Sequence, residues 1–518
     1  MAAIPAAPRP LLLTIPQELT ETVLKHCEGR DLARFAATCR SLHDIVYNDK
    51  DQVVWRVSLL SHPFDDPRKA LGGAHLSPTE IDWRGTLQRR IQAESVLLAR
   101  STAMAAVLHE DNATELNEDD EDRPIRAALH TLLEAAASAL PGRDGVSHNL
   151  EWVEGVLKRS PLFAADVPSS SAAPGSAQQL ITQLQCYLAL TNETNAKRLA
   201  SLRSASRCYV YDLRKYQSET LWGPYLVDAS GRLRVNWEHV RHIQNVILMN
   251  LRDFPDSWKR VWPEWGVKSV RPYSAPDVDR RKPWDWAGVE GKWRRVVCFM
   301  DYSVTYRDLF TFNVRASPSS IYRQFSRSLQ THVIPFQFSS LNEGPLNPNF
   351  FDDDFTEAVR LMEVDLKVLD PIDSSSPMSS PDMPSRSSSA FFTSGSTLFG
   401  SGAPSTRGDF DPAYPTIHFE GSSKGVHSGV SKIKGTVQMM RDGTVRWNFT
   451  LRVSTDQVTS YDDSTNRWSA EAVQVGNVGS AMGIAGIWTV AVHEEVGDPA
   501  GEHSPVSEPT RAMLTVPE

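Results

Sequence analysis

Residues 15–57 read IPQELTETVLKHCEGRDLARFAATCRSLHDIVYNDKDQVVWRV, three short amphipathic helix signals in close succession. Pro16 opens the first, because proline at the first helical position gives up a donor that the helix has no use for. Thr14 and Gln17 stand at capping-box spacing beside it. Leu19, Val23 and Leu24 recur at i, i+4 and i+5, opposite Glu18, Glu21, Thr22 and Lys25. Gly29 is read as closing this helix. The second helix places Leu32, Phe35, Ala36 and Cys39 at i, i+3, i+4 and i+7, leaving Arg30, Asp31, Arg34 and Arg40 outside. A third follows Ser41 with Leu42, Ile45 and Val46 inward and Trp55 packed on its end. Helices this short bury too little among themselves to stand alone, so a partner surface or the rest of the chain must complete their core.

The order Ile15-Pro16, Leu19, Val23-Leu24, Asp31-Leu32, Phe35, Thr38-Cys39-Arg40, Leu42 and Trp55 resembles an F-box, over residues 12–60. It departs from the pattern at Ile15, where leucine is commoner, and at His43, where tryptophan or a similar bulky residue is frequent. The resemblance implies a substrate-receptor subunit of a Skp-cullin-F-box ubiquitin ligase. Such a subunit docks on a Skp-type adaptor, reaches a cullin through it, and presents a protein substrate from the rest of the chain. The residues implied in adaptor binding are Ile15, Pro16, Leu19, Val23, Leu24, Leu32, Phe35, Cys39, Arg40 and Leu42. A receptor of this kind is expected to have no catalytic residue, metal or cofactor; it raises the substrate's effective concentration near a ubiquitin-charged enzyme.

Composition sets the outer bounds. A chain of 518 residues, 41% hydrophobic and 23% charged, has the length of two to four globular domains. A net charge of -9 argues against binding dominated by nucleic-acid phosphates. The five cysteines, Cys27, Cys39, Cys186, Cys208 and Cys298, are odd in number and form no close pair, which points to a reducing compartment, cytoplasm or nucleus. No stretch approaches the length of a membrane span, and Leu11-Leu12-Leu13 is too short for a signal-peptide core.

The organisation read from the chain is multidomain α+β. Helical signals fill 85–206, with apolar stripes at Leu129, Leu132, Leu133, Ala136 and Leu140 and at Leu180, Leu184, Tyr187 and Leu188. An acidic stretch, Glu110 to Asp122, reads as a solvated loop. A Trp- and Tyr-rich connecting region spans 207–283, in which Asn236 caps a helix carrying Val240, Ile243, Val246 and Ile247. Trp258, Trp262, Trp265, Trp284, Trp286 and Trp293 cluster with Arg271, Arg280, Arg281, Lys282, Arg294 and Arg295. Stacked bases in a basic groove are one reading of that cluster; aromatic packing under the following β domain is the favoured one.

From 284 to 495 the pattern becomes period two and predicts an antiparallel β-barrel-like domain for substrate recognition, followed by a tail, 496–518. Met362, Val364, Leu366 and Val368 alternate with Glu363, Asp365 and Lys367. Strands are expected at 292–300, 305–314, 359–369, 414–420, 431–441, 444–453, 467–475 and 484–493, and closure would remove their exposed edges. Around Asp442-Gly443 a two-residue loop mixes the faces. A three-residue loop with Gly443 left-handed pairs Met439 with Val445, Val437 with Trp447 and Ile433 with Leu451, so this register is predicted. A Ser/Pro-rich insertion, 374–409, reads as a disordered, unregulated spacer, with proline-directed phosphorylation at Ser376 and Ser380 as the alternative reading. The segments WAGVEGKWRRVVCFMDY, 286–302, and VQVGNVGSAMGIAGIWT, 473–489, are similar to stretches in fungal F-box proteins with a β-rich C-terminal half, and the plan resembles F-box receptors with a lipocalin-like barrel.

Two rival classes stay open, an enzyme and a small-ligand-binding barrel. His493-Glu494-Glu495 lacks the second histidine of a zinc-protease helix. Asp352-Asp353-Asp354 lacks calcium-loop spacing. Gly476, Gly479, Gly483 and Gly486 lack phosphate-loop spacing and more simply relieve crowding at a barrel bend. A pocket among Trp447, Trp488 and Phe449 would mark a ligand barrel; if those rings instead fill the interior, recognition belongs to the loops.

Overall fold

The computed structural model describes residues 14–48, 52–69, 81–99, 123–139, 147–160, 176–188, 195–253, 284–299, 346–347, 350–351, 357–369, 414–425, 429–453, 467–476, 483–490 and 511–517. The chain forms two compact units, Met1–Ser170 and Ser171–Glu518, so the helices expected as one segment over 85–206 divide between them. The insertion at 374–409, the acidic stretch 110–122, the strand expected at 305–314, Leu140, Trp258, Trp262, Trp265, Gly479, Asp352–Asp354 and His493–Glu495 lie outside the described residues.

The first unit begins with the three predicted helices, α1 (Gln17–Leu24), α2 (Gly29–Ala36) and α3 (Arg40–Tyr47). Their buried residues Leu24, Leu32, Ala36 and Val46 join Val54, Trp55 and Leu59 of α4 (Val53–Ser61) and Trp83 and Leu87 of α5 (Trp83–Ala99) in one core. The missing core is therefore supplied from within the chain. Trp55 packs where expected, and its Nε1 donates to the Val46 carbonyl at 2.8 Å, closing the end of α3.

Two local expectations are corrected. Pro16 lies just outside α1 as its N-cap, its carbonyl accepting from the Leu19 and Thr20 N–H groups, while the Gln17 side-chain amide donates to Glu21 at 2.8 Å. Gly29 does not close α1 but begins α2, where a Cβ would meet Ile91 Cδ1 at 2.8 Å and Leu87 Cδ2 at 3.1 Å. Its role is close approach between α2 and α5.

Two further helices, α6 (Arg123–Ala137) and α7 (His148–Arg159), are tied in through buried Asp65. Its carboxylate accepts from Ser147 Oγ at 2.5 Å and from the His148 N–H at 2.9 Å, at the N-terminus of α7 where the helix dipole favours negative charge. Asn149 links the same point to α6 by donating to the Ala135 carbonyl at 3.1 Å, and accepts from Arg90 Nη1 of α5 at 3.1 Å.

The second unit packs α8 (Ala177–Leu188), α9 (Ala196–Val210) and α10 (Trp237–Arg252) beside a barrel. Asn236 caps α10 as predicted, accepting from the His239 N–H at 3.2 Å. Between α9 and α10 a hairpin of β1 (Tyr225–Val227) and β2 (Leu233–Val235) reaches the barrel wall, where Tyr225 Oη donates to the Ala472 carbonyl at 3.0 Å.

Seven strands form a curled antiparallel sheet in chain order: β3 (Gly291–Phe299), β4 (Ala358–Val368), β5 (Ile417–Gly425), β6 (Val430–Met439), β7 (Val445–Val453), β8 (Arg467–Gln474) and β9 (Ile484–Val490). An eighth, β10 (Arg511–Pro517), pairs with both β9 and β3 and closes the barrel. The segment read as a tail thus carries the closing strand. The β6–β7 register is the predicted one, Met439 opposite Val445, Val437 opposite Trp447 and Ile433 opposite Leu451, with Gly443 at φ 79°. Gly486 also behaves as expected, since a Cβ there would sit 2.3 Å from the Glu471 carbonyl oxygen.

On β3 both faces are buried. Trp293, Val297 and Phe299 point into the barrel core, whereas Val296 and Cys298 lie buried on the other face, and α10 packs against β3, β9 and β10. That double burial holds over the second half of β3, where Val296 to Phe299 form an unbroken buried apolar run; Lys292 in the first half is exposed.

Candidate functional site: a helical docking face and a barrel interior

The ten residues nominated on the helical segment separate into two groups. Leu24, Leu32 and Leu42 are 2%, 0% and 4% exposed and belong to the unit's own interior. Ile15, Leu19 and Val23 are 43%, 58% and 65% exposed, among the few large apolar side chains left in solvent among the described residues. Leu19 and Val23 stand one turn apart on α1, and exposed Ile15 and Pro16 immediately precede the helix. Phe35 is half-buried, and Cys39 and Arg40 are exposed at the entry to α3. The inward stripe of α1 is therefore Thr20 and Leu24, not Leu19, Val23 and Leu24. An apolar row on a helix whose own core is already closed has the character of a surface prepared for another protein.

The barrel interior answers the question set by Trp447, Trp488 and Phe449. Trp447 is 0% exposed, packs edge-on against Trp293 at 5.5 Å and at a tilt against Phe419 at 5.5 Å, and donates from Nε1 to Gln474 Oε1 at 3.0 Å. Trp488 lies against Trp468 at 4.7 Å. Among the described residues the rings fill the interior beside a cavity of about 10 Å³, lined by Arg295, Val364, Leu366, Phe419, Ile433, Trp447, Phe449 and Ile484. That is the room of about one water molecule. Of the two alternatives, an open apolar pocket or rings that fill the interior, the described residues show the second, with one charged residue in the wall.

That residue, Arg295, was grouped in sequence with a basic cluster, yet it shares the inward row of Trp293, Val297 and Phe299 on β3. Period-two parity alone would have placed it inside. It is 1% exposed, and among the described residues no acceptor reaches Nε, Nη1 or Nη2. Its guanidinium lies 4.8 Å from the Trp488 ring and 5.7 Å from the Phe449 ring. Burial pushes its pKa down to about 9, with no neighbouring charge acting in the opposite direction. Stacking on aromatic faces returns about 2 kcal/mol when desolvated, against an ion-burial penalty of roughly several kcal/mol. The rings therefore offset only part of the cost.

Arg207 of α9 shows what a satisfied buried arginine looks like in the same unit. It is 2% exposed, and its Nε and Nη2 reach the two oxygens of Glu357 at 3.1 and 2.7 Å, with Asn250 Nδ2 donating to the same carboxylate at 3.1 Å. A second polar cluster surrounds α10. Tyr216 Oη and His239 Nε2 are 3.1 Å apart, His242 Nδ1 is 3.0 Å from Ser206 Oγ, and the Tyr209 ring stacks on His242 at 4.3 Å. Burial holds His239 well below the ordinary histidine range and His242 down to about 4. Among the described residues no group of three or more His, Cys, Asp or Glu is placed to hold a metal ion.

With this geometry in hand, residues 12–51 match the family model of the F-box domain. The chain thus carries an F-box at its N-terminus, ahead of a helical middle and a C-terminal antiparallel barrel. No curated protein and no solved structure matches the chain.

Proposed function

We propose that the protein is a non-catalytic substrate receptor of a cullin-RING ubiquitin ligase, docking on a Skp-type adaptor through its F-box and presenting a protein substrate from its second unit. The observation that carries this reading is the exposed row Ile15, Leu19 and Val23 within the matched F-box. F-box domains bind Skp-type adaptors, and F-box proteins generally act as receptors rather than catalysts. The adaptor then links the chain to a cullin, and substrate held on the second unit meets a charged ubiquitin carrier at high effective concentration.

The barrel's packed interior supports recognition of the protein substrate by loops at its rims, since rigid scaffolds carry binding elements on their connections. Co-expression of the full chain with a Skp-type adaptor tests the reading: the two co-purify as a stoichiometric complex that recruits a cullin. A folded chain that holds no adaptor under these conditions refutes it.

A further inference from the structure

From β3 to β6 the outward face of the barrel sets opposite charges directly across from one another. Lys292 stands opposite Asp365 and Arg294 opposite Glu363 between β3 and β4. Lys424 stands opposite Glu363 and Lys367 opposite Glu420 between β4 and β5, and Lys434 opposite Glu420 between β5 and β6. One row breaks this rule. Lys432 of β6 is paired with Arg452 of β7, and Arg452 with Arg467 of β8, so that three basic residues hold directly opposed positions on neighbouring strands. Like charges in that arrangement oppose strand pairing, and on its other side Lys432 meets Ser422, not a carboxylate. Lys424, Lys432, Lys434 and Arg452 are exposed, and Val430, the first residue of β6, is 45% exposed beside them. The row lies at one rim of the barrel, where β7 ends at Val453 and β8 begins at Arg467.

We propose that this row docks an acidic segment of a protein partner through its aspartate and glutamate carboxylates, resting on the receptor reading, in which that partner is the substrate. Charge complementarity selects the occupant: carboxylates brought from outside relieve a repulsion that the strand register builds in. Lys432 and Lys434 stand two residues apart on the same face of β6, about 7 Å along the strand, which is also the repeat of same-side carboxylates in an extended acidic segment. A nucleic acid fits less well. The positions between and beside the cations carry Ser422, Thr450 and Ser469, hydroxyls rather than rings on which bases stack. A net charge of -9 also repels a long polyanion. For an anionic membrane the row offers Val430 as its exposed large apolar side chain among the described residues, little to insert between lipids.

The test uses the full-length protein and a fluorescein-labelled peptide of alternating glutamate and serine, followed by fluorescence anisotropy. The peptide should bind saturably and more weakly as salt rises, and its glutamine counterpart should not bind. Lys432→Glu together with Arg452→Glu should weaken binding by about tenfold or more. Lys197→Glu together with Arg441→Glu, the same change in charge on exposed residues elsewhere in this unit, should leave it within about twofold. Lys432→Glu alone should unfold at or above the wild-type temperature, because it sets an opposite charge across from Arg452. Adaptor co-purification is read on the same preparations: adaptor held without peptide overturns the docking row alone, and peptide held without adaptor supports the row while refuting the receptor. No saturable binding, equal binding of the glutamate and glutamine peptides, or equal losses in the two double variants overturns the proposal. So does binding of a phosphoserine peptide alone, or a preference for oligothymidylate or phosphatidylserine vesicles over the glutamate peptide. Binding that appears only after Asp462→Asn and Asp463→Asn, in the connection from β7 to β8, would mean that the chain's own carboxylates occupy the row and overturns it as well.

Discussion

Leu19 and Leu24 sit five positions apart on one short helix and have opposite fates, 58% and 2% exposed. The difference has direct energetic consequences. Leu24→Ala or Leu32→Ala removes a fully packed side chain from the first unit's core and is expected to cost about 2–5 kcal/mol. Leu19→Ala and Val23→Ala, at the surface, should stay within about 0.5 kcal/mol of wild type. Urea unfolding of the four single variants checks this, and equal destabilisation of both pairs would contradict the assignment of faces. Sequence alone placed all four residues on one docking list, for a physical reason. A helix with apolar residues on two adjacent edges satisfies the same periodicity whichever edge meets the chain's own core, and here the polar Thr20 occupies the inward edge beside Leu24. Arg295 was legible by its strand parity with Trp293 and Val297, which places it inside, but its charge groups it in sequence with the basic cluster.

At the scale of elements, the β6–β7 hairpin was legible to the residue. Only one loop length puts Val437, Met439, Val445 and Trp447 on the same face, and only a residue tolerant of positive φ suits the third loop position. Gly443→Val should therefore cost about 1–2 kcal/mol through left-handed strain, measurable as a lower unfolding midpoint for the barrel. An unchanged midpoint would mean the turn relaxes freely. Strand β10 escaped the reading because its pairing with β3 and β9 is set by distant segments, and no local turn signal announces it. Helix α10 adds a pH dependence. His239 and His242 are held neutral by burial, His242 down to about 4, whereas unfolded histidine titrates near ~6.5. In the interval between, the unfolded chain binds protons that the folded one refuses, so stability is full above about pH 6.5 and falls as pH drops toward 4. His242→Gln should flatten part of that slope in urea titrations across the window. A slope identical to wild type would assign the acid sensitivity elsewhere.

At the scale of the whole molecule, an F-box whose core is completed by α4 and α5 leaves an apolar row on α1 in solvent, and a second unit closes its own barrel through β10. Each unit has its own core, so docking and recognition can be separated experimentally. Under the proposed function the row on α1 is the adaptor-docking surface, and central apolar anchors of such interfaces cost about 2 kcal/mol or more when lost, roughly thirtyfold in affinity. The decisive measurement is the affinity of the full-length double variant Leu19→Asp, Val23→Asp for a purified Skp-type adaptor, with circular dichroism and unfolding temperature recorded on the same samples. Binding should fall by about thirtyfold or more with both structural readouts at wild-type values. Wild-type affinity in the folded double variant would contradict docking through this face.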